Sequence, residues 1–271
     1  MNYAIMLAGG IGSRFWPISN NVQPKQFLGI YSSKPMICET LERLLPLIAR
    51  ERIFVAAGKN NAGRLNDCLK PYKFKRKNIF LEPSPKNTLP PIAYLVNRIY
   101  GEDKDAVIIA VPCDHVIRKN KSFLTCIKSG IEIADSGFIV AMGIKPLRPE
   151  TGYGYIKAGK RLGDKRIFYN VEKFIEKPPL ATAKRLIKNP KYFWNSGIFI
   201  FKAGVFLDEL MRLDKKQFKL IAGLKEDGNL LASWKKIKAV SVDYSVMEKT
   251  NRLVVMPAEY GWVDLGSWQA V

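Results

Sequence analysis

The chain has 271 residues, 47% hydrophobic and 25% charged, which is the balance of a folded protein with material for one large core and excludes a disordered chain. Its 44 Lys and Arg against 24 Asp and Glu give a formal charge of +20, and no apolar run reaches the length of a transmembrane helix. Four scattered cysteines with no Cys-x-x-Cys pair exclude a zinc cage and a disulfide framework.

The first predicted element is an apolar run from Tyr3 to Ala8, of the kind a buried parallel strand uses. Gly9, Gly10 and Gly12 follow, where the backbone can take positive φ and approach a ligand closely. Such a loop points successive N–H groups into one concavity, which suits a phosphate chain. Arg14 adds a permanent charged fork, and Lys25, within Gln23-Pro-Lys-Gln-Phe27, a mobile point charge. The loop is not a dinucleotide fingerprint, because the third glycine position holds Phe15, and no Gly-Lys pair makes it a P-loop.

Helical spacing is expected over Pro35–Ile48, from Pro90-Pro91 to about Tyr100 with Thr88 placed to cap, and over Lys121–Asp135. Between these lie strand-like runs at Arg52–Ala57, Ile79–Glu82, Ala106–Val111 and Phe138–Gly143. Alternation of this kind argues for an α/β fold with a doubly wound, mostly parallel, Rossmann-like sheet and ligands at the strands' carboxyl ends. After about residue 145 the character changes. Strands are expected at Tyr153–Ala158, Tyr169–Ile175 and Tyr192–Phe201, with helices near Ala181–Lys188, Ala203–Arg212 and Gly228–Lys236. No repeat or linker divides the chain, so residues 1–271 are expected to form a single domain with a mixed-sheet lobe in its second half.

Asp114, in Val111-Pro-Cys-Asp-His115, directly follows a strand, at the ligand-facing edge of such a sheet. A carboxylate there suits Mg²⁺, which takes one or two carboxylates plus phosphate oxygens and waters; alternatively it caps the next helix. Asp264, in Trp262-Val-Asp-Leu-Gly-Ser-Trp268, is the natural second metal carboxylate, or a turn residue before Gly266. His115, the single histidine, has no nucleophile motif beside it and reads as structural or supporting. Glu176 and Asn195, with backbone at Gly152, could meet the hydroxyls of a hexose, and Lys177 its phosphate, though each stands in a segment that ordinary loop chemistry also explains. Asn87 and Thr88 could bond a base edge or cap a helix. The positive charge is spread along the chain, so it reads as a lysine-rich solvated surface or a field that steers polyanionic small molecules, with no basic stripe for nucleic acid. No basic leader with a cleavage site precedes the first strand, and a cytoplasmic location is expected.

Leu-Ala-Gly-Gly-x-Gly-x-Arg from Leu7, with Pro24-Lys-Gln-Phe27 after it, resembles the signature of sugar-1-phosphate nucleotidyltransferases. The order and spacing of Glu82-Pro…Asn87-Thr88, Pro112-Cys-Asp-His115, Gly152-Tyr-Gly-Tyr-Ile156, Phe174–Pro178, Trp194-Asn-Ser-Gly197, Ser245–Lys249 and Trp262-Val-Asp264 are similar to those of mannose-1-phosphate guanylyltransferases, from Ala4 to Trp268. Lys86, Cys113, Leu89 and Pro91 depart from the residues common in that family. The resemblance implies a glycosyltransferase-A-like sheet with a nucleotide half of about residues 1–145 and a sugar-phosphate half of about 146–271. It implies transfer of GMP from GTP to α-D-mannose 1-phosphate with Mg²⁺ on Asp114 and Asp264. Arg14, Lys25, Asp114 and Lys177 would be catalytic. Leu7, Ala8, Gly9, Gly10, Gly12, Ser13, Arg14, Lys25, Glu82, Asn87, Thr88 and Asp114 would bind nucleotide; Gly152, Tyr153, Glu176, Lys177 and Asn195 would bind the sugar phosphate. Another pair, such as glucose 1-phosphate with UTP or dTTP, and a catalytically silent sugar-nucleotide-binding homologue are the alternatives. No nucleic acid or membrane partner is expected, and a homodimer is possible. Such relatives commonly carry a C-terminal β-helical or cupin-like domain, and the expectation here is that none is present.

Overall fold

The computed structural model describes residues 1–10, 19, 23–163, 167–224 and 230–265. In chain order it contains β1 (Asn2–Ala8), α1 (Met36–Leu44), β2 (Ile53–Gly58), α2 (Ala62–Leu69), β3 (Ile79–Glu82), α3 (Leu89–Glu102), β4 (Val107–Pro112), β5 (His115–Ile117), α4 (Asn120–Asp135) and β6 (Ile139–Ile144). The second half follows with β7 (Tyr155–Leu162), β8 (Phe168–Ile175), α5 (Leu180–Leu186), β9 (Tyr192–Lys202), α6 (Ala203–Leu213), α7 (Lys215–Ala222), α8 (Leu230–Lys235), β10 (Leu253–Pro257) and β11 (Trp262–Asp264).

Alternation along β1 sorts the two cores. Tyr3 and Ile5 face one layer with Ile92, Leu95 and Phe206, while Ala4, Met6 and Ala8 face the other with Ile37, Leu41 and Ile127. Helices α3, α6 and α7 therefore cover one face, and α1, α2 and α4 the other. Nine of the described strands form one sheet in the order β3-β2-β1-β4-β9-β6-β10-β8-β7. From β3 to β4 it is parallel, with Ala4 paired to Ile53 on one side and Ile109 on the other. This is the expected doubly wound core, and the glycine loop leaves its carboxyl edge.

β9 turns the sheet mixed: it runs antiparallel to β4 and β6, and its first residues also pair with β7. Strands β9, β6, β10, β8 and β7 thus return on themselves to make the second lobe. A separate two-stranded ribbon joins β5 to β11, with Asp264 opposite His115.

Local periodicity missed α2, α7, β10 and this ribbon. In α2 only Leu65 and Leu69 are buried, too few contacts to reveal a helical face. Among the described residues no helix is long and apolar enough to cross a membrane.

Candidate active site

Asp114 sits between β4 and β5, and the β5–β11 ribbon carries Asp264 to it from the far end of the chain. A 3-10 turn, Lys25–Phe27, set by the extended Pro24, brings Lys25 into the gap. Its Nζ lies 2.7 Å from Asp114 Oδ2 and 3.1 Å from Asp264 Oδ1, and only 8% of the residue is exposed. Burial disfavours that ammonium, but the two carboxylates outweigh it and raise its pKa. Burial likewise pushes the Asp114 carboxyl up, and the Lys25 ammonium overcomes it to leave a net lowering. Two hard carboxylates converging on one cation are the donor set Mg²⁺ takes when phosphates and waters complete its shell. Among the described residues no cluster of three or more His, Cys, Asp or Glu side chains forms a protein-only cage, which fits that division of ligands.

Leu7, Ala8, Gly9 and Gly10 end β1 beside this centre, and Gly10 has φ +137°, a conformation that favours glycine. Buried Gln26 donates from Nε2 to the carbonyls of Ala8 (2.9 Å) and Gly10 (3.2 Å), tying the loop to the Lys25 turn. Sequence reasoning quoted Gln26 within its motif but gave it no part. Gly12, Ser13 and Arg14 lie outside the described residues.

Glu82 closes β3 next to Gly9, and burial raises its carboxyl to about 7. The segment after it is held by the far half of the chain: Trp234 Nε1 donates to the Ser84 carbonyl at 2.8 Å, and Leu89 N to the Val240 carbonyl at 3.1 Å. Thr88 stands at the start of α3, but its side chain makes no capping bond; its hydroxyl accepts from Val242 N at 3.0 Å. The expected cap is therefore corrected to a cross-chain tether. Asn87 adopts φ +66° and accepts the Thr88 N–H on Oδ1. Leu89 and Pro91 are buried in α3, so these departures from the family pattern pack inward.

The second cluster forms where β7, β8 and β9 meet. Glu176 Oε1 pairs with Lys177 Nζ at 3.1 Å, while its buried Oε2 has no partner among the described residues. A Cβ on Gly154 would fall 2.5 Å from that Oε2, so a larger residue there would push the Glu176 carboxylate from its place. Burial, reinforced by Asp243, raises the Glu176 carboxyl to about 7. Lys177 holds φ +46°, a strained conformation for lysine, with its N–H on the Tyr153 carbonyl and its side chain half exposed. Asn195 is drawn inward: Nδ2 donates to Asp243 Oδ1 at 2.8 Å and Oδ1 accepts from Gly197 N at 3.0 Å. Gly152 donates its N–H to Glu150 Oε1.

Tyr153 couples the two clusters, since its carbonyl takes Lys177 N and its hydroxyl donates to the Asp264 carbonyl at 3.4 Å. The structure thus gathers Lys25, Asp114 and Asp264 in one centre and Glu176, Lys177, Asn195 and Tyr153 in a neighbouring one. Asp243, in a π-helical turn over Asp243–Met247, and Glu248, which accepts Glu176 N at 3.1 Å, were missed as site residues. Glu248 belonged to a recognised motif; Asp243 lay just ahead of it with no signal of its own.

A nucleotidyl transferase family model matches residues 3–271. Over 98% of its own length the chain is 36% identical to a mannose-1-phosphate guanylyltransferase of Salmonella muenchen and 37% identical to the xanthan biosynthesis protein XanB of Xanthomonas campestris. It spans 58% of the length of each. A structure described as mannose-1-phosphate geranyltransferase from Thermus thermophilus superposes with a TM-score of 0.87 at 32% identity, covering 99% of this chain and 77% of that one.

Proposed function

The chain belongs to the nucleotidyl transferase family, and on that premise we propose that it transfers GMP from GTP to α-D-mannose 1-phosphate, giving GDP-mannose and pyrophosphate. One observation carries the reading: a buried lysine gripped by two carboxylates at the edge of the glycine loop, with a second acid–lysine cluster joined to it through Tyr153. Mannose and guanine draw their support from relatives bearing that name.

In this reading an oxygen of the sugar phosphate attacks the α-phosphorus of GTP, the new P–O bond forms, and the bond to pyrophosphate breaks with its electrons leaving on pyrophosphate. Both reactants are already ionised, so positioning and charge stabilisation account for most of the rate. Mg²⁺ held by Asp114 and Asp264 would supply charge against the reacting phosphates. With a cation on those two carboxylates, Lys25 would turn its ammonium to the leaving pyrophosphate, a role it would share with Arg14. Lys177 meets the incoming phosphate and Glu176 the sugar hydroxyls through its unpartnered oxygen. Glu82 lies beside the loop, and in its carboxylate form it accepts from the N1–H and N2–H donors that guanine alone presents side by side; adenine offers an acceptor at N1. The nucleotide half spans about residues 1–145 and the sugar-phosphate half the remainder, in a cytoplasmic enzyme.

The test is pyrophosphate release with GTP, ATP, UTP and dTTP against mannose and glucose 1-phosphates. GTP with mannose 1-phosphate should lead by about tenfold or more, since each unpaired buried polar group costs about 1–3 kcal/mol. Equal efficiency with UTP would reject the nucleotide, and no pyrophosphate from any pair would reject the reaction.

A further inference from the structure

His115 is the chain's single histidine; it follows Asp114 directly and has no part in the chemistry above. It stands opposite Asp264 across the β5–β11 ribbon, and Trp262 is its diagonal neighbour. Trp262 Nε1 lies 3.2 Å from His115 Nδ1, with the rings edge to face and 5.3 Å between centroids. An indole nitrogen can only donate, so Nδ1 must offer a lone pair. An imidazole that accepts at Nδ1 is neutral and carries its proton on Nε2. That Nε2 faces Asp114 Oδ1 at 3.8 Å, while Lys25 occupies the other oxygen, Oδ2, at 2.7 Å.

We propose that Trp262 locks His115 in the Nε2–H tautomer and that His115 is a positioning residue for the cation centre. Its N–H side faces one oxygen of Asp114 across 3.8 Å, too long for a direct hydrogen bond, so it acts on that oxygen through its dipole and leaves the other turned to the cation. The same side chain ties β11 diagonally to β5, and so sets Asp264 against Asp114. A neutral donor does this without adding a positive charge that would compete with the cation for the carboxylate. Trp262 is held in turn by ring contacts with Tyr153 (5.2 Å) and Trp194 (6.5 Å), so the clamp is built into the wall between the two clusters. The inference rests on Asp114 and Asp264 being the metal carboxylates.

With one histidine, a long-range ¹H–¹⁵N spectrum of the intact, histidine-labelled chain reads the tautomer directly. The expected pattern is a proton on Nε2 at neutral pH and an Nδ1 signal displaced by an accepted bond, a displacement lost in Trp262→Phe. A proton on Nδ1 would overturn the clamp. The positioning role is read separately by titrating Mn²⁺, alone, by electron paramagnetic resonance. His115→Leu and Trp262→Phe should bind it about tenfold more weakly, and His115→Gln, which keeps a donor, within about threefold of wild type. Wild-type affinity in the Leu and Phe variants would overturn positioning. A wild-type chain that takes up no Mn²⁺ would reject the metal reading itself, and positioning with it, while the tautomer would still be decided by the spectrum.

Discussion

Replacing Lys25 by Met is the sharpest perturbation of the cation centre, because it keeps the stem's volume and removes the charge. In the native arrangement the ammonium stands within 3.1 Å of one oxygen from each of Asp114 and Asp264, with 8% of the lysine exposed. Without it, two carboxylate oxygens no further apart than the sum of those contacts, 2.7 Å and 3.1 Å, repel by at least about 3 kcal/mol at an effective dielectric constant of about 20. Deleting one member of a buried ion pair costs about 3–5 kcal/mol in general, the same range. For a domain of this size that is a fall of roughly 10 °C in melting temperature. The gap left behind is a better cation site than the native one, since a divalent ion no longer has to displace a lysine. At a hundredfold excess over its dissociation constant Mg²⁺ would return about 2.7 kcal/mol. Melting followed by far-UV circular dichroism, in EDTA and in Mg²⁺, should therefore show Lys25→Met far below wild type in EDTA and recovering several degrees in Mg²⁺. Wild type without nucleotide should gain less. Adding Asp264→Asn should raise the melting point of the variant in EDTA and remove its response to Mg²⁺. A variant that melts beside wild type and ignores Mg²⁺ would show that the three groups are not the coupled centre described.

Burial raises the Glu82 carboxyl to about 7 in the fold from near 4.3 when free, so its contribution to stability is complete below about pH 4 and is lost as pH rises through 7, by roughly 4 kcal/mol. Glu82→Gln should flatten the fall in melting temperature between pH 5 and 8, leaving the part due to Glu176, which is raised likewise; an unchanged slope would contradict the burial. The same variant should narrow the preference for GTP over UTP, and a widened ratio in the pyrophosphate assay would remove Glu82 from base recognition. Lys177→Ala should raise the apparent KM for mannose 1-phosphate about tenfold or more, as a lost charged hydrogen bond does, with little change for GTP; the opposite split would exchange the two substrate clusters. Asp114→Asn should lower turnover by orders of magnitude while the melting temperature shifts only a few degrees, and near-wild-type turnover in Mg²⁺ would end its role as a ligand.

The first half of the fold was legible because parallel strands are buried on both faces and appear as short apolar runs, and a glycine loop after such a run has few physical meanings. Asp114 was legible for the same reason, by standing at the end of β4. What local pattern cannot carry is pairing across the chain. Lys25 and Asp264 are 239 positions apart, and only the register of β5 with β11 brings them together. Nor does a sequence say which polar groups are already satisfied by the protein. Asn195 and Glu176 looked alike as candidates for sugar hydroxyls, yet they separate once their partners are known. The Asn195 amide is engaged at both ends, by Asp243 and Gly197, which fixes its orientation and leaves one N–H and one lone pair. Glu176 keeps a buried oxygen with no partner among the described residues, close against Gly154. An unmet buried carboxyl oxygen is costly by itself, and a sugar hydroxyl donated to it removes that cost. That difference in unmet hydrogen-bonding capacity, rather than residue type, is what supports the proposal that Glu176 meets the sugar, with Asn195 and Asp243 bonded to each other beside it.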